Sequence, residues 1–225
     1  MRRRYALPLY HAGSRYYDGL RASRRVYQLV AQGRALKFSA YIAPDMRVLD
    51  YGVGSGFSIA RLPCALRVGF DVASEFCDKL AEANITFCDD TSRLPDGSFD
   101  AVICHHVLEH VPEPWAALEE MHRLLVRGGR LIVHVPNENE RYHRVFNRDE
   151  MHHHLYSWTS QTLGRLLEAR GFSIHSIGVI RMGYDRFAAR ISCKLCDSFV
   201  FYRLVRWSLR RIRPLYEIAA ICQKL

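Results

Sequence analysis

The stretch Val48-Leu49-Asp50-Tyr51-Gly52-Val53-Gly54-Ser55-Gly56 decides how the chain is read. The run from Met46 to Leu49 has the character of a buried strand. It ends in an aspartate, and three glycines follow at alternate positions. Those glycines read as the turn after the strand, where side chains would block close approach of a ligand to the backbone. Backbone N–H groups and the start of the next helix would then face that ligand. Alone, the pattern is common to many nucleotide-binding loops. The segments downstream narrow it.

Strand candidates alternate with helical ones outward from this loop. The strands are Arg47–Asp50, Ala65–Asp71, Ile85–Cys88, Ala101–Cys104 and Arg130–Val135. Between them lie helical candidates at Ser58–Leu62, Ser74–Ala83 and Pro114–Leu125, the last broken by Gly128-Gly129. Strands separated by helix-length segments imply an α/β fold with a parallel, doubly wound sheet. A helix is expected over Leu20–Tyr41, ended by Pro44. Another runs from a Thr159 cap to Arg170 and closes at Gly171. Phe172–Ile180 and Tyr216–Gln223 read as further strands.

Such sheets bind ligands at the carboxyl ends of their strands. Strand two ends at Asp71, 21 residues after Asp50 and just before Val72. That is the spacing of a carboxylate that accepts hydrogen bonds from ribose hydroxyls. Strand three ends at Cys88-Asp89-Asp90-Thr91, and strand four at Ile103-Cys104-His105-His106.

The composition sets wider bounds. The chain has 225 residues, a net charge of +9 and 49% hydrophobic residues, enough for one α/β domain with additions. Charge is uneven: residues 1–47 carry +8, residues 48–180 carry −6 and residues 181–214 carry +7. Attraction to anionic partners would therefore come from the two basic arms. No stretch has the length and apolarity of a membrane span, and the basic start Met1-Arg2-Arg3-Arg4 leads into no apolar signal region. Seven cysteines, several within strands, fit reduced thiols in a cytoplasmic protein. The single Cys193-Lys194-Leu195-Cys196 motif has no second pair to complete a zinc site.

Taken in order, VLDYGVGSG, GFDVAS, DTSRLPDGSFDAVICHHVLEHV and RLLVRGGRLIVHVPN resemble the class I S-adenosylmethionine-dependent methyltransferases. The closest likeness is to the group containing ubiquinone-type and sugar or small-metabolite enzymes. Nicotinamide dehydrogenases share the first two features but not LPDGSFDAV or LEHV. The resemblance implies a Rossmann-like sheet of seven strands in the order 3-2-1-4-5-7-6, the last one antiparallel. It divides the chain into an N-terminal helical cap (1–44), a cofactor-binding core (45–180), a basic helical insertion (181–214) and the last strand (215–225).

The resemblance also implies roles. Asp50, Tyr51, Gly52, Gly54 and Gly56 would form the loop around the methionine part of the cofactor. Asp71 and Val72 would hold the ribose, Asp90 and Thr91 the adenine, and His105 would lie near the sulfonium. Phe57 departs from the small or polar residue commoner at its place.

For a hydroxyl acceptor the protein must supply a base, and histidine suits that at neutral pH. His106, His110 and His153 are the candidates, with His106 favoured. No metal is assigned. His106, Glu109 and His110 do share one helical face, and a histidine from 152–154 could complete a divalent site. Related enzymes have a glutamate where His106 stands.

In the insertion, Val200–Arg213 has helical periodicity. Arg203, Arg206, Arg210 and Arg213 lie on one side; Val200, Phe201, Leu204, Val205, Trp207 and Ile212 lie opposite. The expectation is a helix packed on the sheet with a solvated basic face, or one that touches an anionic membrane. Tyr10, His11, Arg15, Tyr16 and Tyr17 would cover the site. The reading is thus a methyltransferase of small-molecule, saccharide or lipid-linked acceptors, most simply an O-methyltransferase. The rivals are an RNA methyltransferase and a non-catalytic partner protein.

Overall fold

The computed structural model describes residues 22–138, 145–146 and 153–225. Helix α1 (Arg24–Phe38) starts at Ser23, whose side chain accepts a hydrogen bond from Val26 N–H, and ends in a tight turn, Ser39–Tyr41, before Pro44. Strands β1 (Arg47–Tyr51) and β2 (Leu66–Phe70) follow, then the short α2 (Cys77–Glu82), β3 (Thr86–Cys88) and β4 (Phe99–His105). Next come α3 (Pro114–Leu124), β5 (Leu125–Pro136), α4 (Ser160–Ala169) and β6 (Phe172–Met182). Helices α5 (Asp185–Leu195) and α6 (Phe199–Ile212) precede β7 (Leu215–Lys224).

The seven strands form one sheet in the order β3-β2-β1-β4-β5-β7-β6. The first five pair parallel, and β7 runs antiparallel between β5 and β6. Alternate side chains face opposite layers, as the strand period requires. Leu49, Val102, Leu131 and Val133 join Leu118 and Met121 of α3 on one face. Val48, Ala101, Ile103 and Ile132 meet Phe38 and Ile42 on the other. A third cluster joins Val26, Leu29 and Val30 of α1 to Phe57, to Ala188 and Ala189 of α5, and to Tyr202 of α6. Phe57 therefore has a packing role, which accounts for its bulk.

Three local expectations change. Ser58–Leu62 is a run of turns, not a helix, because Pro63 leaves it too few backbone hydrogen bonds to propagate. The helix after β2 is shorter than expected. Helix α3 ends at Leu124 without help from the glycine pair; Gly128, at φ +76°, lies within β5, and its carbonyl accepts from Gln223.

Helix α6 forms as expected, with Ser198 as its cap, but only part of its basic side is turned to solvent: Arg203 and Arg213 are exposed, whereas Arg206 and Arg210 are partly buried. Arg206 is ion-paired to Asp185 of α5 at 2.6 Å, and Arg206 and Arg210 line a cavity against α1 and β7. Val200, Leu204, Trp207 and Ile212 are its exposed apolar residues. Met151, His152 and residues 10–17 lie outside the described residues. Among the described residues, no helix is long and apolar enough to cross a membrane.

Candidate active site

Strand β1 delivers the buried Asp50 to the centre of the sheet's carboxyl edge. Its Oδ2 has no hydrogen-bond partner. Burial raises its pKa to about 8, against the attraction of Arg34 and with a further push from Asp71. An orphaned buried carboxylate of this kind suits an incoming ammonium group. Tyr51 packs against Phe70 in a tilted arrangement, with ring centroids 4.7 Å apart, and Val72 is exposed at the end of β2.

Asp71 clamps the glycine turn: its Oδ2 accepts from Gly54 N–H at 2.8 Å and its Oδ1 from Ala73 N–H at 3.2 Å. Gly52 has φ +84°, and a Cβ on it would stand 2.3 Å from Val107 Cγ2. The residue just before the LEHV segment thus packs directly on the loop. That contact and the left-handed backbone both require glycine. After β3, Asp90 Oδ1 accepts from Ser92 N–H at 3.1 Å and Ser92 Oγ at 2.7 Å. The Thr91 carbonyl accepts from Arg123 at 3.0 Å.

At the end of β4 the chain builds a cluster around Glu217, the one acid in β7. His106 Nε2 lies 3.1 Å from Glu217 Oε2. His134 Nδ1 lies 3.2 Å and Lys37 Nζ 2.5 Å from Oε1. Burial alone would raise the Glu217 pKa, but His106, His134 and the charge of Lys37 hold it well below the usual carboxylate range. Burial lowers Lys37 to about 8 in spite of Glu217.

His105 is flanked by Lys37 Nζ at 2.9 Å and Arg34 Nη1 at 3.0 Å. Burial and these cations keep its pKa well below the ordinary histidine value. Burial also lowers His106, with the Glu217 hydrogen bond pulling the other way, and takes His134 to about 4. His106 occupies the left-handed region at φ +57°, an uncommon state for a residue with a side chain. Its N–H is anchored on the His134 carbonyl at 2.8 Å.

A second cluster lies one turn on. Glu109 is fully buried, and neither carboxylate oxygen has a hydrogen-bond partner. His110 Nε2 is 3.8 Å from Oε1, and ligand atoms of Glu109, His110 and His154 all fall within 4.8 Å of one another. His154 is hydrogen-bonded to Glu138. His154, rather than His153, thus stands in this cluster. His106 turns its Nε2 to Glu217 and only its Nδ1, at 3.5 Å, towards Glu109. His105, His134 and Glu217 also lie close enough to share an ion. Lys37 and Arg34 already supply the positive charge there, so that group does not suit a metal.

Reading the sequence missed Glu217, Lys37, Arg34 and His134. Two of them carried a signal. Glu217 and His134 fall within or beside the apolar, buried runs of their strands, and an ionisable group in a buried run is kept company by others.

The sheet order and the glycine turn with its flanking acids define a class I S-adenosylmethionine-dependent methyltransferase. The chain belongs to the methyltransferase-domain family, whose model matches residues 22–177. It is 36% identical over 105 residues to the ubiquinone biosynthesis O-methyltransferase of Xanthomonas oryzae pv. oryzae (strain PXO99A). That match covers 40% of this chain and 43% of the relative, so the chain spans well under half of that protein's length. The corresponding protein of Xanthomonas axonopodis pv. citri is 35% identical over 114 residues, covering 44% of this chain and 47% of that one.

Solved structures share the fold. One is an S-adenosylmethionine-dependent methyltransferase of Thermotoga maritima (TM-score 0.61, 16% identity, 89% of this chain and 91% of that one). Another is the magnesium protoporphyrin IX methyltransferase of Synechocystis PCC 6803 with bound S-adenosylhomocysteine (TM-score 0.56, 20% identity, 89% and 84%).

Proposed function

We propose that the protein O-methylates a small-molecule acceptor, lipid-linked rather than saccharide, with His106 as the base. The observation that carries this is the His106–Glu217 pair. A largely neutral imidazole at the end of β4, next to the cofactor loop, has one nitrogen fixed 3.1 Å from a carboxylate. When bound, the cofactor supplies a methyl group on a sulfonium, an electrophile that needs alignment more than activation. The glycine turn with Asp50 would hold its amino-acid end, Asp71 the ribose, and Asp90 with Thr91 the adenine, with His105 on the methyl-donor side. His106 takes the acceptor's hydroxyl proton, and Glu217 stabilises the imidazolium that results. Segment 1–44 acts as the cap, and segment 181–214 shapes the acceptor side. The name of the Xanthomonas relatives agrees with O-methylation.

The test is methyl-labelled cofactor incubated with fractionated cell extract. Label is expected in small organic-soluble molecules; label chiefly in RNA would overturn the reading. His106→Ala is expected to lower turnover about 10²–10⁴-fold with S-adenosylhomocysteine affinity unchanged. Turnover near the wild-type rate would remove His106 from the mechanism.

A second reading concerns a metal. The orphaned Glu109 carboxylate beside His110 and His154 has the nitrogen and oxygen donors that suit a divalent ion such as zinc. An ion there would orient an acceptor oxygen. Metal analysis of protein never exposed to chelator is expected to find about one ion per chain, lost in His110→Ala. Metal-free protein that keeps full activity in chelator would end this reading.

Helix α6 also presents exposed Val200, Leu204, Trp207 and Ile212 beside its arginines, which suits contact with an anionic membrane. Sedimentation with phosphatidylglycerol vesicles should retain the protein, and Trp207→Glu with Leu204→Glu should release it. Equal sedimentation of the two proteins would argue against the contact.

A further inference from the structure

A cavity of about 700 Å³ opens between α1, α6 and the β6–β7 edge. Lys37 and Glu217 belong both to its wall and to the His105–His106 cluster, so it borders that cluster. Its wall has two characters. Ile180, Val200, Leu204 and Trp207 are apolar, while Lys37, Arg181, Arg203, Arg206 and Arg210 are cationic.

The local carboxylates do not balance these cations. Lys37 is matched by Glu217 at 2.5 Å, and Arg206 by Asp185 at 2.6 Å. Asp185 is further shared with Arg34 at 3.4 Å. Among the described residues, the guanidinium groups of Arg181, Arg203 and Arg210 have no ion-pair partner, and Arg210 Nε is buried without a hydrogen bond. Burial, and then the neighbouring Arg206, lower the Arg210 pKa. Like charges gathered on one cavity wall repel one another, and an orphaned buried donor costs free energy. Both penalties vanish when an oxyanion enters, because the guanidinium fork matches carboxylate and phosphate oxygens.

We infer that this cavity receives an amphipathic acid as acceptor. Its carboxylate or phosphate is held by Arg203, Arg210 and Arg181, and its apolar body lies along Ile180, Val200, Leu204 and Trp207. The inference rests on the acceptor side of the methyltransferase site proposed above, and it adds the charge of the acceptor.

The experiment is calorimetry on protein saturated with S-adenosylhomocysteine, titrated with octyl phosphate, octanoate, octanol and inorganic phosphate. At least one of the two amphiphilic anions is expected to bind about tenfold or more tightly than octanol and inorganic phosphate. The tighter of octyl phosphate and octanoate identifies the anionic group. Arg203→Gln with Arg210→Gln should weaken the anions about tenfold or more and leave S-adenosylhomocysteine affinity unchanged. The exposed Arg181→Gln, which does not disturb the core, should weaken them by a smaller factor.

Octanol binding as well as the anions would overturn the anionic subsite. Inorganic phosphate binding as well as octyl phosphate would overturn the amphiphile. Anion affinity unchanged in all the arginine variants would overturn both. Failure of the wild-type protein to bind S-adenosylhomocysteine would instead strike the methyltransferase reading beneath.

Discussion

Asp50→Asn is expected to weaken S-adenosylhomocysteine binding about 100-fold and to stabilise the ligand-free protein at pH 8. The two effects have one cause. Asp50 is buried at the end of β1 with Oδ2 unpartnered, and burial raises its pKa to about 8. Arg34 opposes that rise and Asp71 adds to it. In the unfolded chain the same carboxyl ionises near its ordinary value. Between about pH 4 and 8 the folded state therefore holds one more proton than the unfolded state, and stability falls as pH rises through that window. The ligand's ammonium favours the ionised form, so binding at pH 7 should release a proton.

Calorimetry in two buffers of different ionisation enthalpy reads that release. Melting curves at pH 5.5 and 8 read the stability. The wild-type melting temperature should fall over this range by more than that of Asp50→Asn. Burial raises Glu109 to about 8 as well, and it acts in the same direction in both proteins, so only the difference belongs to Asp50. Equal ligand affinity in the two proteins would refute the role given to Asp50.

Removing Glu217 should have the other large effect. Glu217→Ala leaves Lys37, His106 and His134 around an empty acceptor position. Breaking a buried pair in this way costs about 3–5 kcal/mol of stability. Glu217→Gln keeps the shape and one acceptor oxygen but removes the charge, so the fold should survive it. Turnover in Glu217→Gln is expected to fall about 10²–10³-fold, within the range for a disabled general base. S-adenosylhomocysteine affinity should stay within about threefold, since Glu217 acts through His106 and not through the cofactor loop. A loss confined to cofactor affinity, with turnover at saturation intact, would place Glu217 in the wrong half of the site.

The residues proposed to hold the cofactor were legible because they sit at the ends of consecutive parallel strands. Hydrophobic runs locate those ends, and Asp50, Asp71 and Asp90 could be placed without any knowledge of tertiary contacts. The acceptor half was not. Glu217 reaches His106 only because β7 inserts between β5 and β6, a pairing across 111 positions of sequence. Lys37 and Arg34 sit among several basic residues of the N-terminal helix, and nothing in the sequence separates them from the rest. The facing of α6 departs in part from the sequence expectation for a related reason. Periodicity shows which residues share an arc, but not which arc the neighbouring elements will face. Here the paired Asp185 on α5 drew Arg206 inward, and Trp207 was left outside.

Phe57 follows directly on the glycine turn, yet its ring is buried with α1, α5 and α6. Gly33 of α1 completes that joint, since a Cβ there would stand 2.5 Å from the Tyr202 hydroxyl. On the proposed function, the donor loop and the acceptor helix are therefore fastened to the same rivet. Exchanging residues 181–214 for another acceptor module would mean carrying Val30, Gly33 and Phe57 along. Variation in what this scaffold methylates is thereby tied to how firmly it holds its methyl donor.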